Sequence, residues 1–192
     1  MSGIVVYRSK TGYTKRYAEL ISDQLSFKCK SISDLTESEL SQYDIVLFGG
    51  SLHASGINGL TKLKQLIKSD DESKLKLVFA VGATPYTEGV EAELSQVNQG
   101  TFPASELSKG ENKGIPLFYL RGGFNFKKLN LGDKILMQLL KMKIKIKSEA
   151  NRTADERGML AAYSRVIDFV RADKTLPIVR YISALQNENG NE

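Results

Sequence analysis

Ser9-Lys10-Thr11-Gly12-Tyr13-Thr14 is the stretch whose reading decides the fold. Before it runs Gly3-Ile4-Val5-Val6-Tyr7, apolar and β-branched. A short run of that kind bounded by turn residues predicts a buried strand. After it, Thr14 to Leu25 places Tyr17, Ala18, Leu20, Ile21 and Leu25 at near-helical spacing, which predicts a helix. Strand, polar turn and helix in succession open a βαβ unit. The turn then lies outside the carboxyl end of its strand, where such sheets hold ligands. Its composition suits an oxyanion. Ser9, Thr11 and Thr14 offer hydroxyls, Gly12 lets the backbone approach, and the helix start adds about half a positive charge. The same six residues also describe an ordinary polar turn capped by Thr11 or Thr14. Two other phosphate loops do not apply, because the stretch is neither G-x-x-x-x-G-K-S/T nor G-x-G-x-x-G.

The pattern continues outward. Residues 27–32, 44–50, 75–82 and 116–122 are further strand candidates, and 58–68 and 88–97 are helical between them. Strands separated by helices imply a parallel sheet with right-handed crossovers and helices on both faces. The expectation is a doubly wound three-layer α/β/α domain with a five-stranded parallel sheet. Residues 99–114 are rich in Gly, Ser, Lys and Glu without a clear period, and predict a surface loop. Two helices are expected after the fifth strand, at 131 to about 143 and at 153–170. The second opens on a capping box, Thr153 with Glu156. One domain is expected over 1–185, with a basic helical extension at about 123–170 and a flexible tail at 186–192.

Composition narrows the chemistry. Of the 192 residues, 41% are hydrophobic and 26% charged, which excludes a mainly disordered or fibrous chain. Cys29 is the one cysteine and His53 the one histidine, so no disulfide, iron–sulfur or His-rich metal site can form within the chain. No run approaches the roughly 18 apolar residues of a membrane span, and the first residues do not read as a signal peptide. A cytoplasmic location is the expectation. The net charge of +5 is local: residues 121–150 hold eight basic and two acidic side chains. No nucleic-acid partner is expected.

Ser9-Lys10-Thr11-Gly12-Tyr13-Thr14 resembles the S/T-x-T-G-x-T phosphate loop of the flavodoxins, and the flanking strand, helix and strand count agree. The resemblance spans roughly residues 3–170. It implies a sheet in the order 2-1-3-4-5 that binds FMN noncovalently, in an oxidoreductase or electron-transfer protein. Ser9, Lys10, Thr11, Gly12, Tyr13 and Thr14 would surround the phosphate. The loop after strand three, Gly49 to Gly56, would flank the flavin ring through Ser51, Leu52 and His53. The loop after strand four would do so through Thr84, Pro85, Tyr86 and Thr87, with Tyr86 the candidate for stacking. Each loop also has a plainer reading: His53 as a surface histidine, Tyr86 as an exposed ring beside a capped helix. No side chain is expected to act as nucleophile, acid or base.

The segment after strand five has two readings. Arg121-Gly122-Gly123-Phe124-Asn125-Phe126 suggests a bed for a substrate or the flavin rim. Lys141 to Lys147 belongs either to a packing helix with a solvated lysine face or to a basic element on an anionic membrane or acidic partner. Its strict alternation favours an extended or frayed end. This pattern resembles the flavodoxin-domain group that includes the menaquinone-dependent protoporphyrinogen oxidases. That implies a redox donor or acceptor, protein or quinone, and peripheral contact with the inner membrane face. A flavin-free binding or regulatory module is the third possibility, because fold does not fix function.

Overall fold

The computed structural model describes residues 1–53, 56–67, 73–101, 107–108 and 114–188. Each of the five expected strands forms: β1 (Gly3–Arg8), β2 (Lys28–Ser31), β3 (Ile45–His53), β5 (Leu75–Gly82) and β7 (Ile115–Arg121). All pair in parallel, and among themselves they follow the expected order 2-1-3-4-5. Two short strands extend the sheet. β4 (Gly56–Ile57) folds back antiparallel on the end of β3, and β6 (Leu107–Ser108) adds parallel to β7 at the edge. The 99–114 loop therefore contributes an edge strand. Its residues 102–106 and 109–113 lie outside the described residues, as do Ala54, Ser55 and Lys68.

Both faces of the sheet are dry, which explains the unbroken apolar runs. Ile4, Val6, Val46, Phe48, Val78 and Ala80 point to one side. There they meet Leu60 and Leu63 of α3 (Leu60–Leu66) and Leu94 of α4 (Val90–Val97). Val5, Ile45, Leu47, Leu77 and Phe79 point to the other. They pack under Tyr17, Ala18 and Ile21 of α1 (Tyr13–Leu25). The 13-residue α1 follows β1 as expected. A four-residue helical turn, α2 (Glu37–Leu40), lies between β2 and β3, capped by the Thr36 hydroxyl.

The C-terminal third departs from expectation. α5 (Leu131–Ile146) continues through most of the alternating lysine stretch, so that stretch is neither extended nor frayed. Period-two alternation does not forbid a helix here, because Leu140 and Ile144 fall four apart and Ile144 is buried at 3% exposure. The single helix expected at 153–170 ends early. α6 (Ala154–Ala162) carries the anticipated Thr153–Glu156 capping box. The chain then turns, and β9 (Ile167–Asp168) pairs antiparallel with β8 (Gly123–Phe124). Ordering by this long-range pair overrides local helix preference. A further helix, α7 (Leu176–Glu188), covers α1 with fully buried Ile178 and Ile182. Gln186–Glu188 thus belong to α7 rather than to a flexible tail, and 189–192 lie outside the described residues.

Candidate functional site

The phosphate-type loop joins β1 to α1. Gly12 holds φ +96°, a left-handed conformation that suits glycine. Its N–H donates to Ser9 Oγ at 3.0 Å, which closes the loop on itself. Gly12 is the N-cap of α1 and has no side chain, so no cap side chain bonds the N–H groups of the helix's first turn. Thr14, in its first turn, is 1% exposed, and its Oγ1 is buried without a hydrogen-bond partner among the described residues. An unmet buried hydroxyl is costly, so native structures rarely keep one without a purpose. Cationic groups stand close by. A methyl group placed on Gly12 would lie 3.9 Å from Lys128 Nζ, and Lys10 is in the loop itself.

This loop forms one end of a cleft of about 430 Å³. That volume is within the usual range for small-molecule sites. Lys10, Thr11, Tyr13 and Thr14 line the loop end. Ser51, Leu52 and His53 come from the end of β3, and Val81, Gly82, Ala83 and Thr84 from the end of β5. The three loops expected to converge do so. Ser9 and Gly12 stand behind the lining as loop structure. Pro85, Tyr86 and Thr87 do not reach the cleft wall. The Tyr86 ring leans on Tyr119 with centroids 6.3 Å apart, and its hydroxyl bonds the buried Glu91 carboxylate at 3.3 Å.

Thr84 is fixed from beneath. Tyr119 Oη donates to the Thr84 carbonyl at 2.7 Å, with the Thr84 hydroxyl 3.1 Å away. Burial pushes the Tyr119 phenol up, against the opposing Thr84 hydrogen bond, so it stays protonated and able to donate. Tyr13 lines the cleft and its hydroxyl reaches β9, where it donates to the Ile167 carbonyl at 2.9 Å. Burial raises its phenol too.

The fourth wall comes from beyond β7. Gly123, Phe124 and Asn125 occupy the bed anticipated there, while Leu129, Asp133, Leu136 and Met137 come from the approach to α5 and its first two turns. These last four were not anticipated. Their signal was present, since α5 carries nine large apolar residues in sixteen, more than the one face packed against the protein needs. Asp133 joins the walls. It accepts from Lys10 Nζ at 3.0 Å and Asn130 Nδ2 at 3.0 Å, and lies 3.8 Å from His53 Nε2.

A family model described as "Flavodoxin domain" matches residues 4–151, more than half of the chain. The chain belongs to the flavodoxin-domain family. α6, β9 and α7 lie beyond the matched segment. Among solved structures, the chain is similar to a flavodoxin from the domain Archaea at 16% identity and TM-score 0.41, covering 67% of this chain and 88% of that one. It is also similar to Flavodoxin 2 from Bacillus cereus at 20% identity and TM-score 0.43, covering 63% and 86%. No curated protein matches it. Among the described residues, no helix is long and apolar enough to cross a membrane.

The residues present fit FMN. A phosphate monoester needs hydroxyl, backbone N–H and ammonium donors, and the loop end supplies an orphaned hydroxyl, an uncapped helix start and two lysines nearby. A flat ring system needs apolar walls close to backbone polar groups, which the rest of the cleft offers.

Proposed function

We propose that the chain binds FMN noncovalently in this cleft and works as an electron-transfer flavoprotein or oxidoreductase, within one unit that runs to the end of α7. The buried, unpartnered Thr14 hydroxyl carries the reading, because a phosphate oxygen is the partner it lacks. Bound FMN would supply the one- and two-electron chemistry. The protein's own groups would bind and orient. Ser9, Lys10, Thr11, Gly12, Tyr13 and Thr14 form the phosphate end, with Thr14 Oγ1 and the first N–H groups of α1 donating. Ser51, Leu52 and His53 take one side of the ring and Thr84 the other, with Pro85, Tyr86 and Thr87 on the outer rim. Tyr86 reaches the ring only by leaving Tyr119 and Glu91. The apolar wall of Leu129, Leu136 and Met137 would shield one side of the ring.

The test is FMN titration of the purified apoprotein. Quenching of flavin fluorescence with a dissociation constant of micromolar or below is expected. No quenching at that level would sink the reading and leave a flavin-free module. The partner is a redox donor or acceptor, protein or quinone. The quinone-linked reading has one observation in its favour: the basic segment after β7 forms a helix beside the cleft. Acceleration of protoporphyrinogen oxidation by the holoprotein with a menaquinone analogue would carry it. A rate equal to the blank would remove it.

A further inference from the structure

We infer that α5 is an interfacial helix that lays the cleft's rim on an anionic lipid bilayer. Ile144 is the one buried residue of this 16-residue helix. Of the twelve large apolar side chains exposed among the described residues, six belong to α5. Leu131, Ile135, Leu139, Met142 and Ile146 follow each other at steps of four, four, three and four, and are 56–85% exposed. At 3.6 residues per turn these five occupy about 80° of arc, opposite Ile144, along a helix roughly 24 Å long. A monomer in water gains nothing from a continuous outward stripe of that size.

Charge identifies what covers it. Lys134, Lys141 and Lys145 border one edge of the stripe, and Lys143 and Lys147 the other. Lys141 lies 4.9 Å over the Tyr163 ring and Lys147 pairs with Glu156 at 2.6 Å. Lys134, Lys143 and Lys145 carry no ion pair among the described residues. An apolar stripe between two rows of lysine stems suits a bilayer surface: the stripe enters the acyl boundary and the ammonium groups reach anionic headgroups. A second copy of the chain would bring lysine rows against lysine rows. Leu136, 60% exposed, also lines the cleft, so the same helix carries the rim of the cleft to the lipid. The docking stands on α5 alone. Its meaning for the cleft, access for a partner dissolved in the bilayer, rests on the flavin reading above.

The test is co-sedimentation of the full chain with vesicles of phosphatidylcholine alone or with about a third phosphatidylglycerol, with bound flavin measured in the same samples. Binding to the anionic vesicles alone, lost at 1 M salt, is expected. Lys143→Gln with Lys145→Gln should weaken it roughly 25-fold, and Ile135→Ser with Ile146→Ser at least tenfold, both with FMN uptake unchanged. Equal binding to neutral vesicles, or no binding at millimolar lipid, would overturn the inference. So would a dimer by light scattering that the isoleucine variant dissolves. Vesicle binding without flavin uptake would sink only the flavin reading. Flavin uptake without vesicle binding would sink only the docking.

Discussion

Thr14→Val separates the cost of the site from its use. Thr14 is 1% exposed, and its Oγ1 has no partner among the described residues. A buried hydroxyl left unmet costs about 1–3 kcal/mol. Valine keeps the branched shape at nearly the same volume, and its helix propensity is close to that of threonine. The variant apoprotein should therefore be more stable than the parent by about 1–3 kcal/mol, read as a raised urea midpoint at unchanged slope. With FMN bound the sign reverses. A hydrogen bond to a charged oxygen contributes about 1.5–3 kcal/mol, so its loss should weaken FMN binding roughly 10- to 150-fold. Both quantities come from one preparation, by urea denaturation of the apoprotein and by flavin fluorescence titration. A destabilised apoprotein would mean that the hydroxyl has a partner within the chain. Unchanged FMN affinity would mean that no phosphate oxygen meets Thr14. Either result refutes the reasoning.

Three further outcomes follow from the packing. Ile182→Ala, at a fully buried site where α7 meets α1, should cost about 2–5 kcal/mol. A urea midpoint within error of the parent would show that α7 contributes no core. Gly123→Ala would bring a methyl group to 2.2 Å from the Ile167 carbonyl and 2.8 Å from the Tyr13 ring. It should destabilise by about 1–3 kcal/mol and speed hydrogen exchange at β9, and unchanged exchange there would contradict the β8–β9 pairing. Burial pushes the Asp168 carboxyl upward, but hydrogen bonds from Arg16 and the Val170 N–H, with the Arg16 charge, outweigh it and hold the group below the usual carboxylate range. Its stabilising effect is therefore present above the unfolded value of about 3.9 and lost as pH falls through the lower folded value. Arg16→Gln should flatten the acid limb of a thermal-unfolding series from pH 6 to 2, and identical limbs would dismiss the pair.

The sheet was legible because each strand is buried on both faces, so Ile4-Val5-Val6 and Ile45-Val46-Leu47-Phe48 leave little room for another reading. The phosphate-type loop was legible for a related reason: its hydroxyls, glycine and helix start are neighbours in sequence. α7 was hidden by Pro177, which looks like a breaker yet falls in the helix's first turn, where a missing N–H costs little. β4, β6, β8 and β9 are two-residue pairs, too short for any period to register. The Tyr86 contacts depend on the burial of Glu91 and on Tyr119 of the neighbouring strand β7, neither of which local spacing reveals. Asp133 was missed on the same ground, since its partner Lys10 is 123 residues away.

Asp133 also shows why the cleft and the exposed helix belong to one design. It sits in the first turn of α5, where a carboxylate is favoured by the helix dipole, and the Asn130 side chain accepts from its N–H at 2.8 Å. From there it holds Lys10 of the phosphate-type loop and faces His53 of the β3 loop. Asp133 and Lys10 are only 17% and 29% exposed, so their pairing is less screened than a surface pair. A phosphate at the loop would draw on the same lysine. The negative charge of Asp133 opposes that anion while its grip on Lys10 keeps the ammonium at the loop. With a phosphate bound, the carboxylate would thus act as its placeholder in the empty site, and the loop would keep its cation in either state. Moving α5 outward would break the Lys10 contact and remove the Leu136–Met137 wall together. A surface that holds α5 in place therefore also holds the cleft closed on its fourth side.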